Sequence, residues 1–388
     1  MMPYVILLVA AGALGFGLCE YKPTKQKELI YIGVMTAVMC AMAICRGDIV
    51  GIDYTFLYRD LFLSFDKQGL SFLLSSANSY RTEPLFVLLN MIIGFVTDSP
   101  MVCFALFGVL IIVLRSIFIT KYSSKPWISL YFYISLGFFS YALCTIRQEL
   151  AISIAMFALP FAMNRKPLPY FAIIIAAGLI HNSLFLLLPL YWLVLIPPTK
   201  KWAVGLYSAG LLFIILFSGD LIDLFTSAFD RFSYYHSGEG RYFLLGRHVI
   251  TITAWCAMLV LCTLFYKRIV NRNSKNMILF NFYLFGALIM IPTVKTFIFQ
   301  RVALMLLPFS ILLIAEIAAS YDFRESAIAA ADKKLIGNKR QELKKKTEDD
   351  KRMYYSIIAL FMFIAVIEYF MLMNTNRLDL VPYVTFWM

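Results

Sequence analysis

The sequence predicts an all-α, polytopic integral membrane protein, and three observations carry that prediction. Of 388 residues, 61% are apolar or aromatic and 15% are charged, against about 45–50% and roughly 25% in a soluble globular chain. Mean hydropathy is +0.78. The apolar residues fall in runs of about 20, the length of helix that crosses ~30 Å of hydrocarbon. These runs lack strand-like alternation, and unpaired backbone groups are too costly in lipid, so helices are the spanning element. A soluble enzyme, a disordered chain and a secreted disulfide scaffold are excluded.

In order, the runs lie at 3–19, 29–45, 83–98, 100–119, 126–145, 147–164, 168–181, 183–197, 201–218, 248–266, 276–297, 301–320 and 353–373. They set an expectation of about 12–14 transmembrane helices in a single domain, 1–388. The first run has no positive n-region or cleavage site and reads as a retained span. The net charge of +12 works as a topology signal, because Lys121, Lys125, Arg165, Lys166, Lys200, Lys201 and the stretch Lys267 to Lys275 fill short breaks between runs. No nucleic-acid pattern accompanies them. With those loops inside, 46–82 and 219–247 are extracytoplasmic, and 321–352, with ten basic and seven acidic residues, is a charged cytoplasmic loop. Lys22, Lys25 and Lys27 also want to be inside. A full crossing by 83–98 would then break the alternation, so either the first loop departs from the charge rule or this short run, opening at Glu83-Pro84, is partly re-entrant or surface-lying, and the second is expected.

Seven cysteines without a CxxC pair suggest neither zinc nor a disulfide framework. Ionisable groups at a span's rim are costly and mark candidate sites. Arg147, beside Gln148 and Glu149, opens a span on the outer side, where arginine is disfavoured. It reads either as a guanidinium clamp for phosphate oxygens or as a structural ion pair with Glu149 or another carboxylate. His181 ends a run at the same level and reads as a proton carrier or as an imidazole satisfied by backbone. Asp53 and Glu83 are candidate bases, or a helix cap and an ion-pair partner. In the 219–247 loop, Arg241, Tyr242 and Arg247 suit a sugar with an anionic head. Lys295 and Arg301 flank another outer turn. Together these outer cations suggest a polyanionic ligand such as a lipid diphosphate.

No P-loop, Gly-x-Ser-x-Gly elbow, His-Glu-x-x-His or flavin or haem signature is present, and the DxD pair of many nucleotide-sugar enzymes is missing. No metal ligand set and no cofactor are expected. A ligase or single-sugar transferase, a non-enzymatic flippase or transporter, and a multispan acyltransferase stay open beside a polymerase.

A set of landmarks in fixed order narrows this choice. Gly51-Ile52-Asp53-Tyr54 follows the second run, and Glu83-Pro84-Leu85-Phe86 comes next. Ile146-Arg147-Gln148 then leads into Leu-Ala-Ile-Ser-Ile-Ala, a later span closes on His181-Asn182-Ser183, and Arg301 opens another. In these the chain, from about residue 3 to 320, resembles the EpsG family of bacterial exopolysaccharide proteins, relatives of the Wzy-type O-antigen polymerases. The resemblance implies a GT-C-like helical fold in the bacterial inner membrane and a metal-independent glycosyltransferase. It implies undecaprenyl-diphosphate-linked oligosaccharide as substrate, with a chain-length regulator as a further partner. Carried over, Arg147, His181 and Arg301 face the diphosphate and Asp53 the sugar acceptor.

Overall fold

The computed structural model describes residues 1–20, 23–51, 53–54, 58–60, 62–63, 83–220, 249–294, 298–324, 338–376 and 378–387. Among these there is no strand beyond one isolated bridge, Arg46 to Thr385. Each of the thirteen apolar runs contains a helix. The helices are α1 (Met2–Gly15), α2 (Lys25–Cys45), α3 (Pro84–Gly94), α4 (Pro100–Tyr122), α5 (Pro126–Ser135) and α6 (Phe138–Ala142). There follow α7 (Ile146–Ala155), α8 (Leu159–Met163), α9 (Pro167–Gly178), α10 (Leu187–Val194), α11 (Lys201–Leu216) and α12 (Val249–Leu264). The last are α13 (Tyr266–Arg272), α14 (Asn276–Met290), α15 (Ile298–Ala303), α16 (Ser310–Ala319) and α17 (Asn338–Thr375).

Among the described residues, six helical stretches are long and apolar enough to cross a membrane unaided, and a seventh is the α12–α13 pair, bent by 55°. The other runs are shorter or broken helices, which refines the count expected from composition. One break has a visible cause. Gly137 sits at φ +80 between α5 and α6, a conformation that only glycine adopts without strain. Prolines mark others, with Pro292 and Pro308 each inside a 3₁₀ turn.

Burial sorts the helices by hydrophobic pattern. Every residue from Trp127 to Ser135 in α5 is buried, and so is nearly all of α16. These apolar-all-round helices form the bundle's centre, joined where Ser129 Oγ donates to the Ile311 carbonyl at 2.8 Å. In α11 only Ala203 is buried, as suits a helix facing lipid. α2 and α4 pack closely over small side chains, with a Cβ added at Gly108 only 3.3 Å from Ala43, and Thr36 donates to Ser116 at 2.7 Å.

The polar contacts gather at two ends. At one, the basic loops meet their acids: Lys125 pairs with Asp322 at 2.5 Å, Arg268 with Asp350 at 3.1 Å, and Arg324 with Glu20. Lys275 reaches Asn164 at 2.6 Å. This is the end that the charge rule reads as cytoplasmic, and Glu20, at the start of the first loop, lies at it too. At the other end, 45–51 packs on 379–386, and Tyr383 meets Tyr4 edge-on at 5.6 Å. Both flanks of α3 lie at this second end. Glu83 touches Arg147 there, and Phe104, one turn into α4, accepts from Arg46 at 3.3 Å. α3 has eleven residues, a rise of about 16 Å, too short to cross ~30 Å of hydrocarbon alone, and runs antiparallel to α4, with Phe86 stacked on Phe107 and Asn90 beside Cys103. Of the charged loop 321–352, residues 338–352 are helical and continue without a break into the last span as α17.

A charged candidate site at the outer rim

Glu83 is the centre of the site. It is 2% exposed and stands just before Pro84, which starts α3 with its fixed φ and no N–H to satisfy. One carboxylate oxygen accepts from Arg147 Nη1 at 3.0 Å. The other accepts the Asn182 backbone N–H at 3.1 Å and lies 3.8 Å from His181 Nδ1. Two distant segments are thereby tied to one carboxylate. A further backbone bond, Leu85 N–H to the Leu179 carbonyl at 3.0 Å, fixes α3 against the end of α9. His181 follows α9, whose twelve residues rise about 18 Å.

Arg147 is the second residue of α7, and its backbone N–H donates to Tyr58 Oη at 3.2 Å. Its side chain is 17% exposed, and its buried Nε has no hydrogen-bond partner among the described residues. Glu83 fixes the direction of the guanidinium. The ion pair expected as an alternative is present, with Glu83 as its carboxylate and not Glu149. Glu149 pairs with Arg115 of α4 at 2.9 Å, deep in the bundle, where both side chains are at most 1% exposed. Arg115 Nε also donates to Ser153 Oγ at 2.8 Å. The physical reason is simple: residues two apart on a helix do not face each other.

Asp53 is half-buried, two residues beyond Gly51. Burial pushes its carboxyl above the ordinary range, while the nearby charges of Arg301 and Arg147 pull it back. It therefore shares the field of both arginines. Gln148 Nε2 donates to the Arg301 carbonyl at 2.7 Å, and Gln300 Nε2 to Tyr141 Oη at 3.0 Å, so Gln148 holds the segment that carries Arg301. Arg241, Tyr242, Arg247 and Lys295 lie outside the described residues. Among the sequence candidates, Asp53, Glu83, Arg147, His181 and Arg301 come together. Sequence reasoning missed Tyr58, the Asn182 N–H and the Arg115–Glu149 pair. Only the last left a signal, one arginine inside an apolar run.

Fold and rim together define a multi-pass α-helical membrane protein with a built cationic and acidic site at one face. The EpsG family model matches residues 29–332. The chain belongs to the EpsG family, and so to the membrane proteins of polysaccharide biosynthesis. No curated protein and no solved structure matches the chain.

Proposed function

We propose that this protein is a polysaccharide polymerase of the bacterial inner membrane, joining undecaprenyl-diphosphate-linked oligosaccharide repeat units on the outer face. One observation carries the reading: Glu83, Arg147 and His181, from three separate segments, converge beside Asp53 and Arg301 at the end opposite the basic loops. A diphosphate leaves readily once its developing charge is neutralised. Arginines aimed in advance supply that neutralisation in a site poor in water. In this scheme Arg147 and Arg301 hold the donor's diphosphate. Asp53 accepts the proton of the acceptor hydroxyl as its oxygen bonds the anomeric carbon and the sugar–phosphate bond breaks. His181 donates to a phosphate oxygen. Glu83 positions Arg147 and His181. Divalent metal has no part in this scheme.

Purified protein supplied with lipid-linked repeat units tests it. The expected product is a ladder of repeated additions. A single addition identifies a ligase or single-sugar transferase, and the absence of a new glycosidic bond identifies a flippase or transporter.

A further inference from the structure

The segment 376–387 lies beyond the family-matched residues 29–332, yet it packs on the stretch that leads to Asp53. Gly47 N–H donates to the Val384 carbonyl at 2.7 Å, Phe386 N–H to Cys45 at 3.1 Å, and Gly51 N–H to Asp379 at 2.9 Å. Tyr383 Oη reaches the Met42 carbonyl at 2.6 Å, and its ring stands edge-on to Tyr4. Leu378 and Leu380 are buried beneath. On its far side, Gly51 is pressed against the turn before Arg147. A Cβ there would sit 2.8 Å from the Leu143 carbonyl, and its φ of +99 excludes ordinary residues. The same carbonyl accepts from Arg46 Nη1.

The segment's own shape depends on Asn376. Its Oδ1 accepts from Leu380 N–H at 3.0 Å and Val381 N–H at 2.9 Å, and its Nδ2 donates to the Val381 carbonyl at 2.6 Å. Asn376 itself is at φ +44, which asparagine tolerates better than most residues.

We propose that the segment from Asn376 to Trp387 is a latch, closed by Asn376, that holds the 46–51 stretch, and with it Asp53, against the turn before Arg147. Asn376 is then a positioning residue and Asp53 the group that meets substrate. This inference rests on the acceptor role given to Asp53 above. Without the latch, 46–51 loses its backbone partners, and Asp53 loses its fixed place beside the guanidinium while Glu83 still holds Arg147.

The native Cys45 supplies a reversible test. Phe386 stands opposite it across the antiparallel bridge of Arg46 and Thr385. The Phe386 N–H bond to the Cys45 carbonyl, 3.1 Å, brings the two backbones together, as a disulfide between them requires. Phe386→Cys should form a bridge with Cys45 and keep polymer output. Asn376→Ala should cut polymer at least tenfold at equal membrane level, through kcat, with KM for the lipid-linked donor unchanged. Asn376→Ala combined with Phe386→Cys should regain output when oxidised and lose it in dithiothreitol. Should Asn376→Ala accumulate poorly, that oxidised double variant, reduced after purification, reads the effect on folded protein. No bridge at 386, full output from Asn376→Ala, or indifference of the double variant to reduction overturns the latch. Asp53→Asn with normal output overturns the acceptor role instead, so the two failures are distinguishable.

Discussion

Arg147 is held by Glu83, Nη1 to Oε2 at 3.0 Å, and not by Glu149 two residues along its own helix. The carboxylate that orients the guanidinium therefore comes from the residue that caps α3, far from α7 in sequence. Glu83→Gln keeps the shape and removes the charge-assisted bond, a kind of contact that contributes about 1.5–3 kcal/mol. Polymer yield per molecule should fall by roughly one to two orders of magnitude at unchanged membrane level. Quantitative glycan gels normalised to protein check this.

Asp53 titrates above the ordinary carboxylate range because burial outweighs its arginine neighbours. Its ionised form is the proton acceptor, so the rate should rise with pH through that raised value. Arg301 lowers it, so Arg301→Gln should move the rising limb to higher pH, and Asp53→Asn should abolish the limb. Initial rates across pH, with lipid-linked donor in detergent, give both results.

The buried Arg115–Glu149 pair makes a stability prediction. Removing one partner strands a charge in the bundle and costs about 3–5 kcal/mol, whereas replacing both by apolar residues of similar volume is often neutral. Arg115→Met and Glu149→Met should each lower thermal stability in detergent, and the double variant should recover most of the loss. Additive losses would show that the two charges are not coupled.

Charge neutralisation by arginine also predicts indifference to chelators. Excess EDTA should leave the rate of polymer formation within about twofold, whereas a metal-bridged diphosphate would lose several kcal/mol of charge stabilisation. The assay is the purified-protein ladder with and without EDTA.

The helices were legible in the sequence because lipid demands long apolar runs, and the rim position of Arg147 and His181 followed from counting basic loops. Their partners were not legible. Arg147 and Glu149 are neighbours in sequence but point apart on α7, and each finds its counter-charge on another helix. The contact between Gly51 and Asp379 joins residues more than three hundred apart; no local pattern encodes it. Breaks such as that at Gly137 were hidden because an apolar run reads the same whether its helix is continuous or bent.

The account's central claim is that Arg147, held by Glu83 beside His181, grips the diphosphate of a lipid-linked glycan. The most direct measurement is the size distribution of surface glycan in the native host carrying Arg147→Ala, with membrane level matched to the parent. Loss of one such donor costs about 10²–10³ in rate at comparable sites. Long chains should therefore disappear while single repeat units accumulate on lipid. Chains of normal length would contradict it.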